Sequence, residues 1–517
     1  MILEPMTLAA ATLPSFPPFT AQDYRLGAPV IVLTLFSVGI LCFDLAVPTR
    51  LKQLNALPTL VGLGAAAYYT REIQRMLPES GELLRAFFGC LVLDPFAVYF
   101  FYLFLVGAAL AVLISIRYLE VERENHGEFY ALLLFSVIGM MCMAAGYDLV
   151  LIFIGLELMA ISTYILAGFL RSNQRSNEAG LKYLLLGAFS SAIFAYGLSL
   201  FYGVSGSTNL GDIAHALTQR AGAYPKDPIV MLALLMTLTG MLFKVAAAPF
   251  HMWAPDVYEG APTSVTGFMS VAVSAAAWSL MLRMLLFGLF PLRTLYVPIL
   301  VFAALLTLTT GNLAAITQTN TKRLLAYSSI AHVGYMLLGL IASDGQSNRT
   351  GIKGILFYLL AYTFMNMGAF AVLTALRRRK IVGDEIGDIS GLFHKAPMEA
   401  LLMLVFLLSL AGVPPLAGFY GKYFVFLGLI ETGHYVLASA AVLYAVIGFY
   451  YYLKIANAMF MGEAATEEPV PSTPAMNFAL IIAATATIVL GLFPNVFIRA
   501  VDWSVTSLGP GGIALLK

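Results

Sequence analysis

Apolar runs separated by short polar links occupy almost the whole chain, near 28–47, 57–74, 94–116, 127–146, 148–170, 180–203, 228–250, 262–288, 294–316, 323–343, 352–376, 397–431, 435–461 and 475–498. A helix rises 1.5 Å per residue, so about 20 apolar residues cross a hydrocarbon core ~30 Å thick. The pattern predicts an all-α polytopic membrane protein of about 14 transmembrane helices. The run at 57–74 is the shortest in apolar core and rich in glycine. The run at 397–431 is too long for one straight span. Gly412, Pro414, Pro415 and Gly418 interrupt it, which predicts a broken helix. The run at 228–250 resembles it, ending at Pro249 ahead of Trp253, Pro255, Gly260 and Pro262.

The two interrupted segments lie about five spans apart. Each carries one lysine beside its proline-marked break, Lys244 before Pro249 and Lys422 after Pro414–Pro415. Paired broken helices at matching positions point to an internal inverted repeat with the functional site at the breaks. The competing explanation is that proline is simply commoner in membrane helices than in soluble ones.

Composition agrees with the membrane assignment and removes other classes. Of 517 residues, 60% are hydrophobic and 11% charged, far below the quarter usual for soluble domains. Lys+Arg number 29 against 28 Asp+Glu, so no basic excess suggests nucleic acid. Cys42, Cys90 and Cys142 are far apart with no C-x-x-C, which supports neither a zinc site nor an iron–sulfur cluster. The first 25 residues contain Glu4 and no Lys or Arg before Arg25, so the first span is expected to insert uncleaved. An external N-terminus places Arg50/Lys52, Arg171/Arg175, Lys322/Arg323 and the run Arg377 to Lys380 inside, as the positive-inside rule favours, while Arg71, Arg75 and Arg85 oppose it.

Charges within spans cost ~2.5–3.5 kcal/mol each on insertion scales, so each needs a reason. Glu157, Lys244, His332 and Lys422 all sit deep in apolar runs. A Glu and a Lys brought together across two helices offset each other's desolvation and bring both under mutual control. A buried lysine is readily pushed toward neutrality, and histidine exchanges protons near neutral pH unaided. The group reads as a proton relay; the same residues also read as a structural ion pair with a core histidine bonded to a neighbour such as Ser329. Lys182 and Arg283 lie nearer span ends, within reach of water, and Lys454 reads either way. GFYGK (418–422) lacks the order of a phosphate-binding loop, and His251 with Glu259 has the wrong spacing for helix-borne metal ligands.

FKVAAAPFHMWAPDVYEGAPTSVTGF (243–268) resembles the signature of the antiporter-like membrane subunits of respiratory complex I, and the wording PFHMWAPDVYEGAP resembles the N-type subunit. Sibling L- and M-type subunits and multisubunit sodium/proton antiporters read closer to WLPDA there. NEAGLKYLLLGAFSSAIFAYG (177–197), TKRLLAYSSIAHVGYMLLG (321–339) and SLAGVPPLAGFYGKYFVF (409–426) extend the resemblance over roughly 94–462.

The resemblance implies three leading helices (1–126), two inverted five-helix repeats (127–290 and 291–462) and a last helix (463–517). It implies Glu157 as the fifth-helix carboxylate, Lys244 as its seventh-helix partner, His332 as the tenth-helix relay position and Lys422 as the terminal lysine of the broken twelfth helix. Lys182 and Ser274 are secondary candidates. Ser274 occupies the eighth-helix position where the family often has a lysine, and VAVSAAAWS around it holds no titratable group. Either water held by hydroxyls bridges that gap or the relay is incomplete. The implied function is proton translocation in an NADH:quinone oxidoreductase of a bacterial plasma membrane, with M-type and K-type neighbours and lipid around it. No cofactor is expected in this chain; flavin, iron–sulfur clusters and quinone are expected with partner subunits. A cation/proton antiporter subunit and a purely structural scaffold are the alternatives.

Overall fold

The computed structural model describes residues 18–77, 83–220, 227–343, 348–377, 384–463 and 473–507. The stretch before Pro18, and Arg378 to Lys380 of the basic run, lie outside them. The helices include α1 (Ala28–Ala46), α2 (Ala56–Met76), α3 (Pro95–Glu122), α4 (Gly127–Ala145), α5 (Leu149–Ala167), α6 (Gln174–Ser205), α7 (Pro228–Lys244), α8 (Trp253–Gly260) and α9 (Thr263–Gly288). They continue as α10 (Arg293–Thr317), α11 (Thr321–Ile341), α12 (Thr350–Leu376), α13 (Pro397–Ala411), α14 (Ala417–Glu431), α15 (Tyr435–Met461), α16 (Pro474–Leu492) and α17 (Pro494–Val505). A short antiparallel ribbon, Leu84–Ala86 with Leu91–Leu93, leads into α3 of the otherwise helical bundle.

Polar residues at the ends of apolar runs start the helices. The side chains of Asp94, Asp148, Asn173, Asp227 and Asn320 each accept first-turn backbone N–H groups, which otherwise have no partner. Among the described residues eleven helices are long and apolar enough to cross a membrane, with α7 and α13 as shorter apolar helices; the expected 14 spans are not reproduced one for one. The 57–74 run forms α2 but is not among the eleven. The 475–498 run stops at Leu492, before Pro494, and a separate helix follows.

Both expected breaks are present. Backbone after α7 leaves the helix at Val245, with Ala246 at φ +59°, and α8 begins only at Trp253. The 397–431 run divides into α13 and α14, with Gly412 at φ +89° between them. The most enclosed helices are α9, α11 and α12; α1 and α15 are far more exposed. Small residues allow close backbone approach, as in other membrane bundles: a Cβ on Gly351 of α12 would strike the Gly339 carbonyl of α11.

Candidate functional site

At the first break, polar groups close the backbone that the helix abandons. The N–H groups of Ala246 and Ala247 donate to the carbonyls of Phe243 (3.0 Å) and Leu242 (2.8 Å). The N–H of Ala248 donates to Thr307 Oγ1 at 2.9 Å, and Trp253 Nε1 donates to the Phe243 carbonyl at 3.0 Å. Val245 to Ala248 are buried. Irregular backbone at membrane depth survives only when enclosed and bonded in this way.

Lys244 is the last residue of α7 and is buried. Its Nζ donates to the Tyr164 hydroxyl at 3.3 Å and stands 5.7 Å from that ring's centroid. Glu157 lies seven residues before Tyr164, two turns away on the same face of α5. No ion pair joins Glu157 to Lys244, and one carboxylate oxygen, Oε1, is buried with no hydrogen-bond partner among the described residues. Glu157 still acts on Lys244 electrostatically. Tyr164 is therefore the side-chain partner of Lys244, and the sequence analysis did not single it out.

At the second break, the buried ammonium of Lys422 on α14 donates to the carbonyls of Leu410 (3.1 Å) and Ala411 (2.8 Å), the last residues of α13. A cation is favoured there because a helix C-terminus carries partial negative charge and unpaired carbonyls. The Tyr335 ring lies 5.2 Å away, within cation–π range. Gly412 packs directly against the lysine stem. The break itself leans on α16, where a Cβ on Gly491 would strike the backbone at Pro415 and Leu416.

His332 is buried on α11 with both ring nitrogens engaged. Nδ1 meets the Tyr358 hydroxyl at 2.5 Å and Nε2 meets the Tyr452 hydroxyl at 2.9 Å. Tyr452 continues to Ser328 Oγ at 2.5 Å. Ser329, the partner expected from sequence, instead pairs with Tyr362 at 2.5 Å. Lys422 is the charged group that acts on His332 electrostatically.

Ser274 is half-buried and its hydroxyl makes no hydrogen bond among the described residues. Four residues earlier, inside the π-helical turn Met269–Val273, Ser270 Oγ accepts from Asn366 Nδ2 at 2.7 Å. Such turns recur at functional sites. The polar contact across the middle of the bundle is thus made by Ser270.

Lys182 belongs to a charged cluster at one end of the bundle rather than to the buried line. It pairs with Glu178 (2.7 Å) and Asp256 (2.8 Å), while Arg323 pairs with Asp256 (2.7 Å) and Glu259 (3.0 Å). These residues line a cavity of about 290 Å³. A second cavity of about 560 Å³ shares Arg175, Glu259 and Gly260 with it and reaches Lys322, Arg377 and Asp384. Burial pushes the Asp256 carboxyl up, but Lys182 and Arg323 outweigh it and hold the group below its ordinary range. Burial raises Asp384, against the opposing pull of Lys322 and Arg377.

Two further lysine and arginine assignments are now settled by position. Arg283 does not reach water: it and Asp94 are fully buried and joined by two bonds of 3.0 and 2.9 Å, and Arg283 also donates to the Ala144 carbonyl. Lys454 caps α10, donating to the carbonyls of Ile316 (3.2 Å) and Gln318 (2.8 Å). Among the described residues no cluster of His, Cys, Asp or Glu is arranged to hold a metal ion.

The architecture has known counterparts. A family model described as NADH:quinone oxidoreductase/Mrp antiporter, TM, matches residues 146–448. NADH-quinone oxidoreductase subunit N 1 of Koribacter versatilis is 62% identical over 493 residues, covering 94% of this chain and 96% of that one. Subunit N of Trichlorobacter lovleyi is 43% identical over 488 residues, covering 94% and 98%. A chain in respiratory complex I from Thermus thermophilus with bound aureothin superposes with a TM-score of 0.75 at 34% identity, over 92% of this chain and 99% of that one. A chain of the Mrp complex from Dietzia sp. superposes with a TM-score of 0.83 at 20% identity, over 96% and 99%, a likeness of fold. The broken-helix bundle with its buried lysines therefore belongs to the NADH:quinone oxidoreductase/Mrp antiporter membrane family, within its N-type, complex I branch.

Proposed function

We propose that this chain is a proton-translocating membrane-arm subunit of an NADH:quinone oxidoreductase. Glu157, Lys244, His332 and Lys422 form its relay, Lys182 belongs to its charged membrane-face cluster, and Ser274 lies in its middle. The observation that carries the reading is the Lys422 ammonium held by the free carbonyls of a broken helix, since half-helix ends at membrane depth are where transporters handle cations and protons.

The division into repeats at 127–290 and 291–462 draws support from the packing. The close pair α4–α5 in the first half has its counterpart in α10–α11 of the second. Redox chemistry falls to partner subunits, with flavin, iron–sulfur clusters and quinone held there, and M-type and K-type subunits flank this chain in a bacterial plasma membrane. The relatives named as subunit N favour this reading over a cation/proton antiporter, whose supporting likeness is one of fold. Purification of the native complex through a tag on this chain tests it. Co-purification of flavin, iron–sulfur proteins and NADH-dependent quinone reduction is expected; sodium/proton exchange with none of these would overturn it.

A further inference from the structure

The histidine on α11 is not merely buried; both of its ring nitrogens meet tyrosine hydroxyls. Tyr358 reaches Nδ1 from α12 and Tyr452 reaches Nε2 from α15. Both tyrosines are almost fully enclosed. A neutral imidazole carries one hydrogen, so one nitrogen donates and the other accepts. Of the two flanking hydroxyls, one must therefore donate to the ring and one must accept from it. The hydroxyl of Tyr452 then has a further partner in Ser328 Oγ, and Tyr358 packs against Gly421, the residue before Lys422. The preceding residue on α15, Tyr451, donates to Asn312 Oδ1 at 3.4 Å, and Tyr444, two turns earlier still, meets Thr309 Oγ1 at 2.6 Å. Polar side chains thus also line the α10–α15 seam beside the histidine.

We propose that Tyr358 and Tyr452 are proton-transferring partners of His332, and that the ring passes a proton by exchanging its two tautomers; this rests on the relay reading above. The bare nitrogen takes a hydrogen from the tyrosine that donates to it. The opposite nitrogen releases its own hydrogen to the second tyrosine, whose hydroxyl hydrogen moves on. Beyond the ring, Tyr452 exchanges its hydrogen with Ser328 Oγ and Tyr358 exchanges its own with a water molecule, so the donating tyrosine is refilled and the accepting one passes its hydrogen on. Each residue ends with the number of hydrogens it began with, and one proton has crossed. The ring then holds its hydrogen on the other nitrogen and passes no second proton the same way until that tautomer is restored. Two tyrosines and a histidine conduct in this way without lasting charge in a low-dielectric site, where an isolated charge is costly.

The test uses the assembled complex in sealed vesicles, scoring protons moved per electron pair delivered. Tyr358→Phe and Tyr452→Phe keep the rings and remove the hydroxyls; His332→Ala is the companion variant. Each Phe variant is expected to lower the ratio, because the ring nitrogen then faces no hydroxyl that can give or take a hydrogen. If both Phe variants pump like wild type while His332→Ala does not, the tyrosine role is overturned and the relay stands. If His332→Ala also pumps like wild type, the relay through this histidine falls as well. Should a Phe variant fail to assemble, fluorotyrosine at 358 or 452 preserves shape and bond while making the hydroxyl more acidic. The pH profile of pumping is then expected to move, and an unmoved profile overturns the proposal.

Discussion

The ammonium of Lys244 meets the hydroxyl of Tyr164 at 3.3 Å and forms no ion pair with the carboxylate of Glu157. A tyrosine thus takes the ammonium that the sequence pairs directly with Glu157. Its hydroxyl can accept from the lysine and donate onward, which an ion pair in contact cannot do.

Removing that hydroxyl leaves the buried ammonium without its side-chain acceptor, a loss of ~1–3 kcal/mol by the usual cost of an unmet buried donor. Tyr164→Phe is expected to slow proton movement in vesicles while the complex still assembles on a native gel. An unchanged pumping rate would show that Lys244 works without it.

Gly412 sits at φ +89° with the Lys422 side chain against it. An L side chain in that conformation costs ~1–2 kcal/mol, and a Cβ there would press on the lysine. Gly412→Ala is expected to lower the thermal stability of the solubilised complex. Gly412→Asn is expected to cost less, because asparagine tolerates left-handed backbone. Equal behaviour of the two variants would contradict a backbone origin.

Asp94 and Arg283 tie the start of α3 to the end of α9 with both side chains fully buried. Breaking such a pair from one side typically costs 3–5 kcal/mol, because the remaining charge is stranded. Asp94→Asn or Arg283→Leu alone is expected to reduce the amount of assembled subunit, and the double replacement by apolar residues is expected to recover much of it. Single variants that assemble normally would contradict this.

Asp256 ionises below its ordinary value of 3.8 in the folded chain, burial being outweighed by Lys182 and Arg323. A lowered carboxyl contributes stability that is present above the unfolded value and lost as pH falls through the folded one. The cluster around α8 is therefore expected to loosen below about pH 4. Melting temperature against pH should fall less steeply on the acid side in Asp256→Asn than in wild type; identical slopes would contradict the assignment.

Much of the fold was legible because prolines and glycines mark broken helices whatever surrounds them. Pro249 and the Pro414–Pro415 pair located both breaks, and the lysines beside them are where expected. Partners were less legible. Tyr164, Tyr358 and Tyr452 sit in runs whose apolar character hides a hydroxyl, and 26 tyrosines give no signal to choose among them. Their roles depend on which helices meet. Arg283 was read as near enough to a span end to reach water, yet neighbouring helices cover that end completely. Lys182 was read as lying near a span end within reach of water and as a secondary candidate by resemblance, and it pairs with Asp256 and Glu178. Ser274 was chosen by counting from a motif, whereas the π-helical turn carries Ser270 to Asn366.

The central claim is that protons cross through the buried line ending at Lys422, and one measurement tests it most directly. The assembled complex carrying Lys422→Ala is reconstituted in sealed vesicles, and protons moved per electron pair are counted beside wild type. The carbonyls of Leu410 and Ala411 then face no titratable cation, and the ratio is expected to fall. A ratio equal to that of wild type, in vesicles equally tight, would contradict the account.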